Sequence, residues 1–159
     1  MKVNIPITKP YLGEDEKQLV SEVIDSGWLS QGPKVAEFEK RFAEYVGAKY
    51  AVATTSCTTA LHAALSVFGI GSGDEVIVPS LSFIATANAV VHCGATPVFV
   101  DIAPETCNIN VNKIEEAITE KTKVIMPVHQ MGLPSEIDSI QKIAAKHGLK
   151  IIEDAACAI

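Results

Sequence analysis

The feature that most limits the fold is an alternation of short apolar runs with helical patterns that begins near residue 50. The apolar runs lie near residues 50–54, 75–79, 96–100, 124–127 and 149–153. Strands that alternate with helices form a parallel sheet with right-handed crossovers. We therefore predict an α/β fold in which all five runs share one mainly parallel sheet with flanking helices.

The first third of the chain has a different pattern. Two prolines predict an extended arm over residues 3–11, and apolar stripes predict two helices, over residues 14–26 and from Pro33 onward. We expect residues 1–48 to form this arm and these helices, and residues 49–159 to form part of an α/β domain. Trp28, the only tryptophan, lies in the loop between the helices as a core-boundary residue or near a functional surface.

Composition argues against several kinds of partner. The chain has 159 residues and a formal net charge of -6, which disfavours binding to nucleic acid or to an anionic membrane. No apolar run is long enough to span a bilayer, and the N-terminus has no secretion-signal pattern. The four cysteines include no C-x-x-C pair, so no zinc site is indicated. We expect a cytoplasmic protein with free thiols.

Candidate ligand groups follow several of the predicted strands. Ligands of open α/β sheets bind at the carboxyl ends of the strands. Residues 54–59 (TTSCTT) join a strand to a helix, and their hydroxyl and backbone N–H groups suit a phosphate, although helix capping explains one or two of the hydroxyls. Phe83 follows the next strand, where its ring is placed to stack on a planar ligand or to join the core.

Two more candidates follow later strands. Asp154 comes directly after the last strand, with Cys157 three residues on. Three interpretations of its carboxylate are open: a partner for a protonated ring nitrogen, a helix cap, or a surface acid. His129 also follows a strand, although a single histidine is more often structural. Phosphate donors, a stacking ring and a carboxylate at one sheet edge are typical of a pocket for pyridoxal 5'-phosphate.

Seven blocks of sequence strengthen this interpretation. They are GWLSQGP at 27–33, SCTTAL at 56–61, GIGSGDEVIVPS at 69–80, ATAN at 85–88, GATPVFVD at 94–101, PVH at 127–129 and IEDAA at 152–156. In these blocks and their order, the chain resembles the N-terminal part of the DegT/DnrJ/EryC1/StrS family of sugar aminotransferases. The resemblance implies the large domain of the fold-type I pyridoxal-phosphate-dependent transferases, truncated in this chain.

The resemblance also implies roles for particular residues. Phe83 would stack on the pyridine ring, and Asp154 would pair with the pyridine nitrogen. Thr58 and Thr59 would bind the phosphate, with Cys57 beside them in the cofactor site, and Cys157 would lie beside the ring hydroxyl. His129 and Trp28 remain possible pocket or substrate residues. Two positions depart from the family, because Cys57 stands where glycine or alanine is usual and Cys157 where glutamine or histidine is usual. A thiol is a weak hydrogen-bond partner.

The family's reaction follows from the same resemblance. Its members are homodimers that transfer an amino group, usually from glutamate, to a keto-sugar carried on a nucleotide, for amino-sugar and surface-polysaccharide biosynthesis. The lysine that carries the cofactor in the family lies beyond Ile159, so no catalytic residue is assigned in this chain. Two alternatives remain open: a non-catalytic α/β ligand-binding or regulatory domain, and a dehydratase-type relative.

Overall fold

A computed structural model describes Pro6 and residues 9–158, which divide between Ala53 and Thr54 into two compact units. The extended arm predicted for residues 3–11 lies partly outside the described residues. The first unit contains helices α1 (Glu14–Ser26) and α2 (Pro33–Val46), both of which the apolar stripes predicted.

Glycines end both helices of the first unit. Gly27 and Gly47 have φ angles of 70° and 69°, a left-handed conformation that residues with a Cβ adopt at a cost. At the start of α1 the Gly13 N–H donates to Glu16 Oε2 over 2.6 Å, and α2 begins with Pro33, whose missing N–H costs nothing at a first helical position. Local sequence therefore sets the bounds of both helices.

The second unit alternates helices and strands as predicted. Its elements are α3 (Cys57–Val67), β1 (Glu75–Pro79), α4 (Ala85–His92), β2 (Thr96–Val100), β3 (Thr122–Ile125), α5 (Ile137–His147) and β4 (Lys150–Ile151). The strands form one sheet in the order β2-β1-β3-β4, and every pair is parallel. The predicted α/β fold with a parallel sheet is confirmed.

Alternate residues of the central strands supply the two faces of the core. Val76 and Val78 of β1 pack with Leu65 of α3 and Val90 of α4, whereas Ile77 packs with a second cluster that includes Ile140 of α5. Strand side chains alternate between faces, so a run that is apolar at every position is expected of a strand covered on both sides.

The predicted strand at residues 50–54 is wrong. Residues 50–53 have no regular secondary structure in the first unit, and the Ala53 N–H donates to Glu39 Oε1 over 2.8 Å instead of to another strand. An isolated strand leaves its backbone N–H and C=O groups unpaired. Within the described residues, a side-chain carboxylate satisfies one of these groups, and four strands rather than five make up the sheet.

Other differences concern the bounds of elements. Helix α4 begins only at Ala85, and the apolar residues Ile84 and Val91 are exposed although their spacing is that of the helix's apolar face. The segment around Ile114 forms two 3₁₀ turns, Val111–Lys113 and Glu115–Ala117. The final strand contains only Lys150–Ile151, but an isolated parallel bridge between Val128 and Asp154 continues its pairing with the segment after β3.

Across the described part of the chain, none of the helices has both the length and the apolar character needed to cross a bilayer.

Candidate functional site

The strand order predicts a ligand crevice at the carboxyl ends of β1 and β3. The chain leaves β1 toward β2 on one side, and it leaves β3 toward β4 on the other. Loops that depart in opposite directions from neighbouring parallel strands open a cleft between them, where ligands of this fold class bind. The segments at this cleft are residues 80–84 after β1 and residues 126–135 after β3.

Asp154 lies beside this cleft and is almost entirely buried, with 4% of its surface exposed. Its backbone N–H donates to Pro127 O over 2.9 Å, and its carbonyl accepts from the His129 N–H over 3.1 Å. These bonds extend the pairing of β4 past its last regular residue. They hold the Asp154 backbone in one register against the segment that follows β3.

Three neutral donors meet the Asp154 carboxylate. The Thr86 hydroxyl donates to Oδ2 over 2.7 Å, and Oδ1 accepts from the Ala156 N–H at 3.2 Å and from the Cys57 thiol at 3.7 Å. No lysine, arginine or histidine of the described residues forms an ion pair with this carboxylate. A buried carboxylate is normally paired with a cation, so this carboxylate is suited to a cationic ligand.

The start of α3 supplies backbone and hydroxyl donors. Ser56 caps the helix: its Oγ accepts from the Thr59 N–H over 3.3 Å, and the Thr59 hydroxyl donates back to Ser56 O over 2.7 Å. In the described structure no protein acceptor meets the N–H groups of Cys57 and Thr58, the first two helical residues. Free N–H groups and the helix dipole make this position favourable for an anion.

Cys57 and Cys157 both lie near the Asp154 carboxylate. Partial burial raises the pKa of the Cys57 thiol above its ordinary value, and the negative charge of Asp154, its hydrogen bond and the nearby Cys157 raise it further. Cys157 lies in the turn that follows Asp154. The backbone oxygen of Cys157 approaches Gly132 closely, since a Cβ on that glycine would lie 3.2 Å from it.

Phe83 lies in the loop between β1 and α4 and is 78% exposed. Its carbonyl accepts from the Thr86 N–H over 3.1 Å. Ser82, one residue earlier, has its hydroxyl 2.6 Å from the Thr86 hydroxyl. Phe83 is therefore not a core residue, and its loop is joined to the Asp154 carboxylate through Thr86.

His129 is buried, and both of its ring nitrogens have protein partners. Nδ1 accepts from the Ser135 N–H over 3.1 Å, and Nε2 lies 2.9 Å from Glu153 Oε2. Because Nδ1 is an acceptor, the ring proton lies on Nε2 and is donated to Glu153. These contacts favour the structural interpretation of His129.

Asn108 fixes the loop after β3. It is buried, its Nδ2 donates to the carbonyls of Leu133 and Pro134 over 3.0 and 3.1 Å, and its Oδ1 accepts from the Gln130 N–H over 3.0 Å. The Gln130 side chain in turn donates to Leu81 O. The loops after β1 and β3 are thus connected by the hydrogen bond between Gln130 and Leu81.

Trp28 belongs to the first unit. Its indole Nε1 donates to Gln31 O over 3.0 Å, and a Cβ added to Gly32 would lie only 2.1 Å from Nε1. The indole therefore lies against Gly32, and its assignment as a pocket or substrate residue stays a prediction.

Sequence reasoning missed Thr86, Ser82, Asn108 and Ser135. One signal was available for the first two: Ser82 and Thr86 are four residues apart, so a helical turn brings them together, and Thr86 lies in the ATAN block. Asn108 and Ser135 gave no signal, because isolated polar residues in loops are usually exposed.

Taken together, the parallel sheet and the polar groups at its carboxyl edge define an α/β protein whose strand order reverses between β1 and β3, the place where ligands of this fold class bind. Residues 10–159 match the DegT/DnrJ/EryC1/StrS aminotransferase family, and the chain belongs to this family.

Three similar proteins illustrate the match. The spore coat polysaccharide biosynthesis protein SpsC of Bacillus subtilis is 52% identical over 98% of this chain and 40% of its own length. GDP-perosamine synthase of Caulobacter vibrioides is 51% identical over 98% of this chain and 42% of its own length. The crystal structure of NtdA from Bacillus subtilis with bound cofactor PMP has 44% identity and a TM-score of 0.89, over 92% of this chain and 34% of that one. The chain thus spans about two fifths of the curated relatives it matches.

Proposed function

We propose that this chain forms the cofactor cradle of a pyridoxal-phosphate-dependent sugar aminotransferase. The observation that carries the proposal is the Asp154 carboxylate, which belongs to a residue that is 4% exposed and receives hydrogen bonds from neutral donors only, as far as residues 9–158 and Pro6 are concerned. A protonated pyridine nitrogen is a cation and a hydrogen-bond donor, so it supplies the partner that a buried carboxylate requires.

The other groups of the cleft fit the same cofactor. The N-terminus of α3, with its free N–H groups and the Thr58 side chain, suits the phosphate, and the Thr59 hydroxyl would donate to it by giving up its bond to Ser56 O. The exposed Phe83 ring suits one face of the pyridine ring. Cys157 would lie beside the ring hydroxyl as a weaker partner than an amide or imidazole, and Cys57 would lie between the phosphate position and Asp154.

Bound pyridoxal phosphate supplies an electron-accepting ring and a carbonyl carbon that takes up and releases an amino group. The chain's own residues would hold and orient the cofactor. Asp154 would keep a proton on the pyridine nitrogen, α3 would neutralise the phosphate charge, and Phe83 would limit the tilt of the ring. The lysine that carries the cofactor is expected beyond residue 159.

The substrates and assembly are proposed from the relatives. GDP-perosamine synthase and a spore coat polysaccharide biosynthesis protein match nearly the whole chain, which supports a nucleotide-linked keto-sugar as amino acceptor and a place in surface-polysaccharide biosynthesis. Glutamate is the proposed amino donor, and a homodimer is the proposed assembly. The division into an N-terminal segment 1–48 and a cofactor domain from residue 49 belongs to the same proposal.

Two adjacent carboxylates provide a matched test. In the full native polypeptide, Asp154→Asn removes the buried charge with little change of shape. Glu153→Gln is the control, because Glu153 is partly exposed and contacts His129 rather than the cleft. We expect Asp154→Asn to lower kcat by about two to three orders of magnitude, the range seen when one electrostatic stabiliser is lost, and Glu153→Gln to leave it near normal.

Product analysis separates the alternatives. With glutamate and a nucleotide-linked keto-sugar, an aminotransferase yields 2-oxoglutarate and an amino-sugar in equal amounts, whereas a dehydratase yields a sugar that has lost water. A binding or regulatory domain would bind pyridoxal phosphate and give neither product. Equal turnover in Asp154→Asn and wild type would reject the role proposed for Asp154.

A further inference from the structure

Thr86 makes contacts in two directions from the first turn of α4. Its side chain is 1% exposed, its hydroxyl donates to Asp154 Oδ2 over 2.7 Å, and its backbone N–H donates to the Phe83 carbonyl over 3.1 Å. One residue therefore connects the carboxylate proposed to meet the pyridine nitrogen with the loop that carries the proposed stacking ring.

The direction of the hydroxyl bonds follows from proton counting. An ionised carboxylate can only accept, so the single Thr86 hydroxyl proton points to Asp154. The Ser82 hydroxyl, 2.6 Å from the Thr86 oxygen, must then donate to Thr86. The result is an ordered chain of donors from Ser82 through Thr86 to Asp154.

Among the three donors to Asp154, Thr86 makes the shortest bond. The Ala156 N–H is 3.2 Å from Oδ1 and the Cys57 thiol is 3.7 Å from it, and a thiol is a weak donor. Hydrogen bonds from neutral donors to an ionised acceptor are strong when short. The rotation of the carboxylate about its Cβ–Cγ bond therefore depends chiefly on the Thr86 hydroxyl.

We propose that Thr86 is a positioning residue. Its hydroxyl orients the Asp154 carboxylate and its backbone N–H holds the Phe83 loop, so that both groups meet the same planar ring. The inference rests on the proposed function. Thr86 is placed to act on the ring only through Asp154 and Phe83. Loss of its hydroxyl would free the carboxylate to rotate away from the ring nitrogen while the sheet and helices stay in place.

The test compares Thr86→Val with Thr86→Ser in the full native polypeptide. Val keeps the branched shape without the hydroxyl, and Ser keeps the hydroxyl without the methyl group. The readouts are the Kd for pyridoxal phosphate and the 15N chemical shift of cofactor labelled at the pyridine nitrogen, which reports protonation of that atom. We expect Thr86→Val to weaken binding by about tenfold or more, as for a lost charge-assisted hydrogen bond, and to move the 15N shift toward the neutral form.

Thr86→Ser should restore the wild-type shift and bind within about twofold of wild type, a difference small beside that of a lost charge-assisted bond. If Thr86→Val does not fold, Thr86→Ala against Thr86→Ser carries the same comparison, since these two differ by one hydroxyl oxygen. Equal losses in the Ser variant and in the variants without a hydroxyl would overturn the proposal, because packing rather than the hydroxyl would then matter. A wild-type shift and Kd in the variants without a hydroxyl would overturn it as well.

Asp154→Asn distinguishes this proposal from the proposed function. If Asp154→Asn changes the 15N shift and the Thr86 variants do not, only the positioning role fails. If Asp154→Asn leaves both the shift and the Kd unchanged, the pairing of Asp154 with the pyridine nitrogen fails, and the role of Thr86 fails with it.

Discussion

The Cys57 thiol lies 3.7 Å from Asp154 Oδ1, although the two residues are 97 positions apart in the sequence. Burial and the carboxylate charge raise the pKa of this thiol, so less of it is thiolate at a given pH. Asp154→Asn removes the charge and should lower the pKa of Cys57. We therefore expect faster alkylation of Cys57 by iodoacetamide at pH 8, by roughly threefold for each pKa unit regained, because the larger thiolate fraction is partly offset by the lower nucleophilicity of a less basic thiolate.

Peptide mass spectrometry assigns the alkylation rate to each cysteine separately. Cys107 provides an internal control, because it is partly buried and is bonded to neither Cys57 nor Asp154. Its rate should be the same in the variant and in the wild type. An unchanged Cys57 rate would contradict the contact between the thiol and the carboxylate.

A second prediction concerns Gly32. Gly32→Ala would place a Cβ 2.1 Å from the Trp28 Nε1, so the indole must move and lose its hydrogen bond to Gln31 O. We expect the fluorescence emission of Trp28, the only tryptophan, to shift to longer wavelength and its anisotropy to fall. Gly71→Ala is the control, since the nearest contact there is an ordinary 3.8 Å. The same emission in both variants would show that the indole does not lie against Gly32.

A third prediction concerns the buried amide of Asn108. Asn108→Asp puts an oxygen where Nδ2 now donates to the carbonyls of Leu133 and Pro134. Only the protonated acid can donate there, so folding raises the pKa of the introduced carboxyl. The variant's stability should be best preserved below the unfolded-state pKa and fall as the pH rises through the folded-state value, with a loss of about 2 kcal/mol or more at neutral pH.

Urea unfolding at pH 4 and pH 8 measures this loss against wild type at the same pH. Asn112→Asp is the matched control, because Asn112 is exposed and its replacement should cost little at either pH. A loss of stability for Asn108→Asp that did not depend on pH would mean that Nδ2 does not face the two carbonyls.

The sequence predicted the parts of the fold that depend on local pattern. The run at residues 75–79 is apolar on both faces and became the central strand β1, with Ile77 in one core cluster and Val76 and Val78 in the other. The run at residues 50–54 has a similar composition but no neighbouring strand within the described residues. Strand formation requires such a partner, and composition carries no information about one.

The site was predictable only where a residue follows a strand end. Asp154 and Phe83 could be placed by that rule, although their roles remain proposals. Thr86 could not, because its importance comes from one hydroxyl that meets a carboxylate 68 residues away. Exposure of Ile84 and Val91 also escaped prediction, since helical spacing identifies an apolar face but not which part of it another element covers.

The pairing of Asp154 with the segment after β3 has a consequence for the order of events during synthesis. Asp154 leaves the ribosome after the groups that it contacts, which are Cys57 at the N-terminus of α3 and Thr86 beside the Phe83 loop. Contacts spanning 97 and 68 residues form slowly, because a long stretch of chain must close first. The nascent protein can therefore pair β1, β2 and β3 early, while its cleft stays without its buried charge until β4 docks against β3.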